Sequence, residues 1–145
     1  MKLNFTMSEL IHSNTAVQLN INNYPDIKSL DNLLLLIINT LQPVRDLLGK
    51  PMIVTSGYRC KQLNSHPAIG GSSTSEHVQG KACDFVITGM KPADIVSKIR
   101  HSNIPFNQLI EEYGKNGSSW VHISYSKTGN RREVLRYKNG IYTKI

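Results

Sequence analysis

The stretch that decides the fold and the site is Ser75-Glu76-His77-Val78-Gln79-Gly80-Lys81-Ala82-Cys83-Asp84. If residues 77–84 were fully extended, His77 and Asp84 would lie about 23 Å apart and could not reach one ion. Gly80 permits the turn that brings the imidazole and the carboxylate within ligand distance of a common metal. Residues 81–87 then have the composition of a strand. The stretch therefore predicts a turn, a strand and two metal ligands.

The second stretch with site chemistry is Trp120-Val121-His122-Ile123-Ser124. In a strand, the two aliphatic residues face one side, and His122 faces the other beside Trp120 and Ser124. Two histidines and one aspartate make a three-ligand zinc site whose fourth position is free for water, and bound zinc lowers the pKa of that water toward about 7. A single histidine fits a surface or hydrogen-bonded position better than a ligand position. The zinc hypothesis therefore depends on His77, Asp84 and His122 together.

A third stretch, Thr55-Ser56-Gly57-Tyr58-Arg59, is a predicted strand end that finishes in an arginine. A guanidinium group can bind a carboxylate through two parallel hydrogen bonds. A peptide substrate with a free or side-chain carboxylate would need such a contact. Taken alone, Arg59 fits a structural ion pair or a solvated side chain better.

Length and hydropathy limit the class of protein. The chain has 145 residues, enough for one compact domain and too few for two, so we expect residues 1–145 to form a single domain. The longest apolar run, residues 33–38, is far shorter than the roughly 18 residues needed to span a bilayer. Residues 1–15 have no apolar stretch behind a basic start, so we expect cytoplasmic synthesis without a secretory signal.

Charge and cysteine content indicate possible partners. The chain carries 17 Lys and Arg against 10 Asp and Glu, a net charge of +7 that favours polyanionic partners. No basic-aromatic pattern or helix-turn-helix signal supports specific nucleic-acid binding. Cys60 and Cys83 are isolated, which predicts two buried thiols rather than a disulfide or a zinc cluster. Strand alternation places Cys83 opposite Asp84, so we expect it in the core and not on the metal.

Local patterns predict an α+β domain, with helices packed on a small antiparallel sheet. Predicted helices are a short one from a capping box at Thr6 to about His12, a longer one over residues 30–48 kinked or restarted at Pro43, and one beginning at Pro92. Predicted strands cover residues 51–55, 81–87, 108–113 and 120–124, followed by a hairpin of 134–137 and 141–144. Residues 15–28 and 60–76 are predicted loops, the second long enough to be functional.

The ordered motifs, taken together, resemble those of a known family. They are Ser56-Gly57-Tyr58-Arg59, Asn64, Gly70-Gly71, Ser75-x-His77-x-x-Gly80-x-Ala82-x-Asp84 and Trp120-Val121-His122. This series resembles the zinc D-Ala-D-Ala carboxypeptidase family, which includes murein-cleaving endolysins and D-Ala-D-Ala dipeptidases and shares its fold with the hedgehog signalling domain. Residues 5–10, 13–16, 105–110 and 130–132 resemble the small single-domain branch of that family.

The resemblance implies roles for individual residues. His77, Asp84 and His122 match the zinc ligands, and Arg59, Ser75 and Trp120 match the substrate-binding side of the site. Better-known members carry an acidic general base three positions before the second histidine, where this chain has Ser119. In the small branch an acid closes the strand matching residues 108–112 instead. Glu112 is therefore the expected base, with Glu111 as the alternative because the two face opposite sides of a strand.

The resemblance also implies a function. We expect a monomeric zinc metallopeptidase that cleaves peptidoglycan stem peptides at a D-Ala-D-Ala bond, an L-Ala-D-Glu bond or a cross-bridge. Its expected partners are peptidoglycan peptides and anionic cell-wall polymers, and its expected setting is phage lysis after release or a cytoplasmic dipeptidase role. The competing hypothesis is a catalytically silent zinc-containing module of the same fold, which Ser119 favours.

Overall fold

Side-chain caps and glycine ends set the helix boundaries in the computed structural model, which describes residues 1–145. The predicted capping box is present: Thr6 Oγ1 accepts from the Glu9 amide, and the Glu9 carboxylate accepts from the Thr6 amide. The helices are α1 (Met7–Ile11), α2 (Asn14–Gln18), α3 (Ile27–Leu36), a π-helical turn (Ile37–Leu41), α4 (Gln42–Leu48), α5 (Lys61–Ser65), a 3-10 helix (Glu76–Gln79) and α6 (Pro92–Arg100).

The irregularity predicted at Pro43 is the π-helical turn just before it. Pro43 is the second residue of α4 and has no amide hydrogen to donate to a carbonyl of the π-helical turn that precedes it. The hydrogen bonds of the turn follow the wider π-helical pattern, and the chain then continues as the α-helix α4. This helix ends at Gly49, which adopts a left-handed conformation.

Two predicted loops contain short helices, and here the sequence predictions are wrong. The Ser13 hydroxyl caps α2 by accepting from the Ala16 amide, and Cys60 Sγ caps α5 by accepting from the Leu63 amide. Each of these helices has five residues, too few to show a helical periodicity. The capping position also leaves Cys60 only half-buried, whereas Cys83 is fully buried as predicted.

The strands form one six-stranded sheet in the order β1-β2-β4-β3-β5-β6. They are β1 (Ile53–Ser56), β2 (Ala82–Val86), β3 (Gln108–Tyr113), β4 (Ser119–Ser124), β5 (Glu133–Lys138) and β6 (Ile141–Lys144). The α+β class is confirmed, but the sheet is mixed because β5 pairs parallel to β3. Residues 125–132 carry the chain back to the start of β3, where the Glu133 amide binds the Asn107 carbonyl, and β5 therefore runs in the same direction as β3.

One face of the sheet forms the hydrophobic core, and the other carries the site residues. Cys83, Phe85 and Leu109 belong to the face that packs against the helices and forms the hydrophobic core. The other face carries Asp84 and His122, which are register partners on β2 and β4. Period-two alternation along the central strands therefore separates core residues from site residues. No helix in the structure combines the length and the apolar character needed to cross a membrane.

Candidate metal centre and active site

Three side chains from two stretches of the chain converge on the open face of the sheet. His77 Nε2 lies 3.2 Å and His122 Nδ1 lies 2.9 Å from Asp84 Oδ1. The three donor atoms all lie within 4.8 Å of one another, so this group could hold a metal ion. His77 and His122 are buried, and Asp84 lies between them on the central strand β2.

The turn that joins His77 to Asp84 is the one predicted at Gly80. Gly80 ends the 3-10 helix with φ of 71°, in the left-handed region that favours glycine. A Cβ atom there would overlap the Ser29 carbonyl oxygen of α3. At the other end of the helix, the Ser75 hydroxyl caps it by accepting from the His77 amide. The helix is thus fixed at both ends, which sets the position of the His77 ring.

A backbone carbonyl selects the tautomer of His77. Its Nδ1 lies 2.6 Å from the Gly57 carbonyl oxygen, which can only accept, so Nδ1 carries the hydrogen. In the neutral ring Nε2 then presents its lone pair toward Asp84. Two imidazole nitrogens and a carboxylate oxygen form a donor set that suits Zn²⁺, and the carbonyl bond to the second nitrogen is the support that histidine ligands usually have. The residues present therefore fit a zinc ion.

The electrostatics of two of the three groups, Asp84 and His77, favour the states that bind a cation. Burial raises the pKa of Asp84, but the two neighbouring imidazoles lower it by more, so the carboxyl stays ionised far below its usual range. Burial lowers the pKa of His77, which keeps that ring neutral. For His122, burial also lowers the pKa, but the hydrogen bond and charge of Asp84 outweigh burial and raise it. A cation at this position would replace the proton that Asp84 favours on His122.

Glu112 is the acidic side chain that the structure brings to this group. Its Oε1 lies 4.0 Å from His122 Nδ1, and its cross-strand neighbour on β4 is Trp120. Burial and then the negative charge of Asp84 raise the pKa of Glu112 to about 7. The indole Nε1 of Trp120 is buried without a hydrogen-bond partner. A carboxylate so close to the three donor atoms has the position expected of a general base.

Glu111 lies on the opposite face of β3, as strand alternation predicts. Its side chain is 4% exposed, and its Oε2 accepts from Arg136 Nε at 2.8 Å and from the Tyr113 hydroxyl at 3.3 Å. Glu112 lines the cleft that contains His77, Asp84 and His122, whereas Glu111 and Ser119 do not. Of the two glutamates, Glu112 alone faces the three potential metal ligands His77, Asp84 and His122.

Arg59 and Ser75 lie together at the rim of the same cleft. Arg59 donates to Ser56 Oγ at 2.9 Å, to Asn64 Oδ1 at 3.2 Å and to Ser75 Oγ at 3.5 Å. None of the ion pairs in the structure involves Arg59. Burial lowers the pKa of Arg59, although a guanidinium stays charged. A half-buried cation bound only to neutral oxygens is available to an anionic ligand.

Several cleft residues were missed by the sequence analysis. Glu76 forms part of the floor, accepting from Ser124 Oγ at 2.8 Å and from Asn107 Nδ2 at 3.1 Å. Tyr137 and Tyr142 form the wall on the side of β5 and β6. Glu76 lies inside the first motif, but nothing in its spacing indicates these partners, and the tyrosines reach the site only through the parallel pairing of β5. The complete cleft has a volume of about 890 Å³.

A metal ion held by these residues would lie in an open cleft beside a buried carboxylate, an arrangement typical of metal-dependent hydrolases. Comparison with known families gives the same class. The Peptidase M15 family model matches residues 3–124, which is most of the chain, and the protein therefore belongs to the Peptidase M15 family. This membership makes it a metallopeptidase and confirms the resemblance found in the motifs. None of the curated proteins compared with the chain matches it.

Proposed function

We propose that residues 1–145 form a zinc peptidase domain that hydrolyses a peptide bond in the stem peptides of bacterial peptidoglycan. The observation that carries this proposal is the position of Glu112, with its carboxylate 4.0 Å from His122 in the cleft that contains the three potential ligands. Family membership supports metal-dependent peptide hydrolysis in general, and the donor set of two imidazoles and one carboxylate supports zinc.

Each residue of the site has a distinct task in this reaction. His77, Asp84 and His122 would hold the metal, with the carbonyl of Gly57 fixing the His77 ring. When bound, a zinc ion supplies Lewis-acid chemistry that acidifies water and polarises a peptide carbonyl. Glu112 accepts the proton of the attacking water and returns it to the departing amine. The carboxylate of Glu112, 4.0 Å from His122 and in the same cleft, is placed to perform both transfers.

Arg59 supports a substrate that carries a carboxylate. Its guanidinium has no acidic partner, and its three neutral acceptors hold it at the cleft rim. A D-Ala-D-Ala terminus and a D-Glu residue each offer a carboxylate near a scissile bond, and a cross-bridge does so only where it carries a free carboxylate. Ser75 places its hydroxyl beside Arg59, within reach of the same substrate group.

Anionic polymers of the cell wall are a second proposed partner of this positively charged chain. A net charge of +7 attracts anionic wall polymers, and this attraction would weaken steeply as salt increases. On this proposal the chain works as a monomer that reaches the wall after its release from the cytoplasm. The positive charge would concentrate the protein at the anionic wall, and the cleft would select the peptide that is cleaved.

A catalytically silent zinc module is the second candidate, because Ser119 occupies the position where better-known relatives carry their base. Hydrolysis separates the two candidates. Purified, zinc-loaded protein would be incubated with muropeptides of defined sequence, with and without a chelator, and the fragments identified by mass spectrometry. We expect one peptide bond to be cleaved and the chelator to stop cleavage. Intact muropeptides with zinc present throughout would favour the silent module.

The contact between Gly71 and Asn64 gives a test of the Arg59 role. A Cβ atom at Gly71 would overlap the Asn64 side-chain oxygen, which accepts from Arg59 Nε. Asn64 is 2% exposed and cannot move freely, so Gly71→Ala should displace the guanidinium and raise KM about tenfold, the cost of one hydrogen bond to a charged group. The measurement is kinetics on the cleaved peptide.

A double-mutant cycle provides the control for this prediction. In an Asn64→Ala background the overlap at Gly71 is gone, so adding Gly71→Ala should change KM by less than about twofold. Equal effects of Gly71→Ala in both backgrounds would show that Asn64 does not connect Gly71 to Arg59.

A further inference from the structure

One row of side chains crosses four strands on the active-site face. Trp120 on β4 is the register partner of Glu112 on β3, and Glu112 is the register partner of Tyr137 on β5. Tyr137 is in turn paired with Tyr142 on the edge strand β6. Register partners project from the same face of a sheet, and all four residues line the cleft. The row therefore connects the proposed base to the free edge of the sheet.

The two tyrosines form an aromatic surface at the outer end of this row. Their ring centroids are 4.7 Å apart and their planes are inclined by 47°. Tyr142 is 59% exposed, so its ring is open to a ligand. With neighbouring strands about 4.8 Å apart, Tyr142 lies roughly 10 Å from Glu112 across the sheet. An extended peptide covers that distance with about three residues, or with one residue and a long side chain.

The two ends of the cleft carry different side chains. Arg59, without an acidic partner, lies on the side of β1. On the side of β6 lie the two tyrosine rings, and Glu112 lies between them and the three potential metal ligands. The carboxylate of Glu112 lies in the same row as the two rings, two strands from Tyr142. The face of a tyrosine ring attracts a cation because of the ring quadrupole.

We propose that Tyr137 and Tyr142 form a subsite for an ammonium-bearing side chain of the substrate. This subsite rests on the proposed peptidase function and gives the substrate a direction. The carboxylate of the peptide lies at Arg59, the scissile bond lies beside Glu112, and a residue with a side-chain amine lies toward β6, within about three residues on the N-terminal side of that bond. The preferred substrate is therefore a peptide with a carboxylate at one end and a long basic side chain at the other.

Two peptides that differ only in one charge test this subsite. Both carry the cleaved bond and a lysine on its N-terminal side, and in one of them the lysine amine is acetylated. The free-amine peptide should have a kcat/KM about fivefold higher, the size of a cation–π contact at a partly exposed site. The same preference should disappear in Tyr142→Leu, which keeps an apolar side chain, and should persist within about twofold in Tyr142→Phe, which keeps the ring.

A distant tyrosine serves as the matched control. Tyr24 is 69% exposed and does not line the cleft, so Tyr24→Leu should leave the preference unchanged. Melting temperatures show whether the β5–β6 hairpin tolerates Tyr142→Leu, and Tyr137→Leu provides a second variant with the same expected loss.

Equal hydrolysis of the two peptides by the unmodified chain, or an undiminished preference in both leucine variants, would overturn the subsite and leave the peptidase function standing. If the unmodified chain cleaves neither peptide nor any muropeptide, the proposed function fails and the subsite fails with it.

Discussion

Replacing Glu112 with glutamine is expected to remove most hydrolysis while leaving the metal content of the protein unchanged. Glutamine has nearly the same shape, so it preserves the packing against Trp120 and His122. It cannot accept a proton from water, and loss of a positioned general base costs about 10²- to 10⁴-fold in kcat. The measurements are kcat on the cleaved muropeptide and zinc per chain by elemental analysis.

Glu111→Gln is the matched control, because the same substitution lies one residue away on the other face of β3. Glu111 accepts from Arg136 and Tyr113, so the change should weaken the β3–β5 contact and lower the free energy of unfolding by about 1 to 3 kcal/mol. Activity at a temperature where the variant is folded should stay close to that of the unmodified chain. Full activity in Glu112→Gln, with loss confined to Glu111→Gln, would transfer the base role to Glu111.

The contrast between these two glutamates shows what the sequence could predict. Strand alternation is a local property, so residues 108–113 were enough to predict that Glu111 and Glu112 face opposite sides. The capping box at Thr6 and the turn at Gly80 are equally local, and the structure confirms both. The approach of His77 to Asp84 follows from that turn, since few other conformations bring the two side chains together.

Features that depend on distant segments could not be predicted in the same way. The parallel pairing of β5 with β3 requires the path of residues 125–132, which has no periodic pattern. The row from Glu112 to Tyr142 follows from that pairing, and a shift of one residue would turn both tyrosines to the opposite face. The contact between Gly71 and Asn64 likewise depends on how a loop folds back on α5. The motifs and the family resemblance thus predict the three potential ligands together with Arg59, Ser75, Glu112 and Trp120, but not the tyrosine wall of the cleft.

Removing one imidazole from the metal group is expected to remove the metal and the activity together. His122→Ala leaves His77 and Asp84 as the only donors, and two protein ligands hold zinc far more weakly than three. Elemental analysis should find about one zinc per unmodified chain and much less than one in the variant. His101→Ala is the matched control, because His101 is exposed, binds only the Ser97 carbonyl and lies outside the cleft.

Thermal unfolding provides an independent measure of the same prediction. A ligand that binds only the folded chain stabilises it by roughly 4 kcal/mol at a concentration 1,000 times its Kd, so added zinc should raise the melting temperature of the unmodified chain and of His101→Ala. It should leave that of His122→Ala almost unchanged. Chelation itself should not unfold the protein, because the core lies on the opposite face of the sheet and Asp84 retains its hydrogen bond to His122. A His122→Ala chain that still carried one zinc would place the ion elsewhere and would separate Glu112 from the water it is proposed to activate.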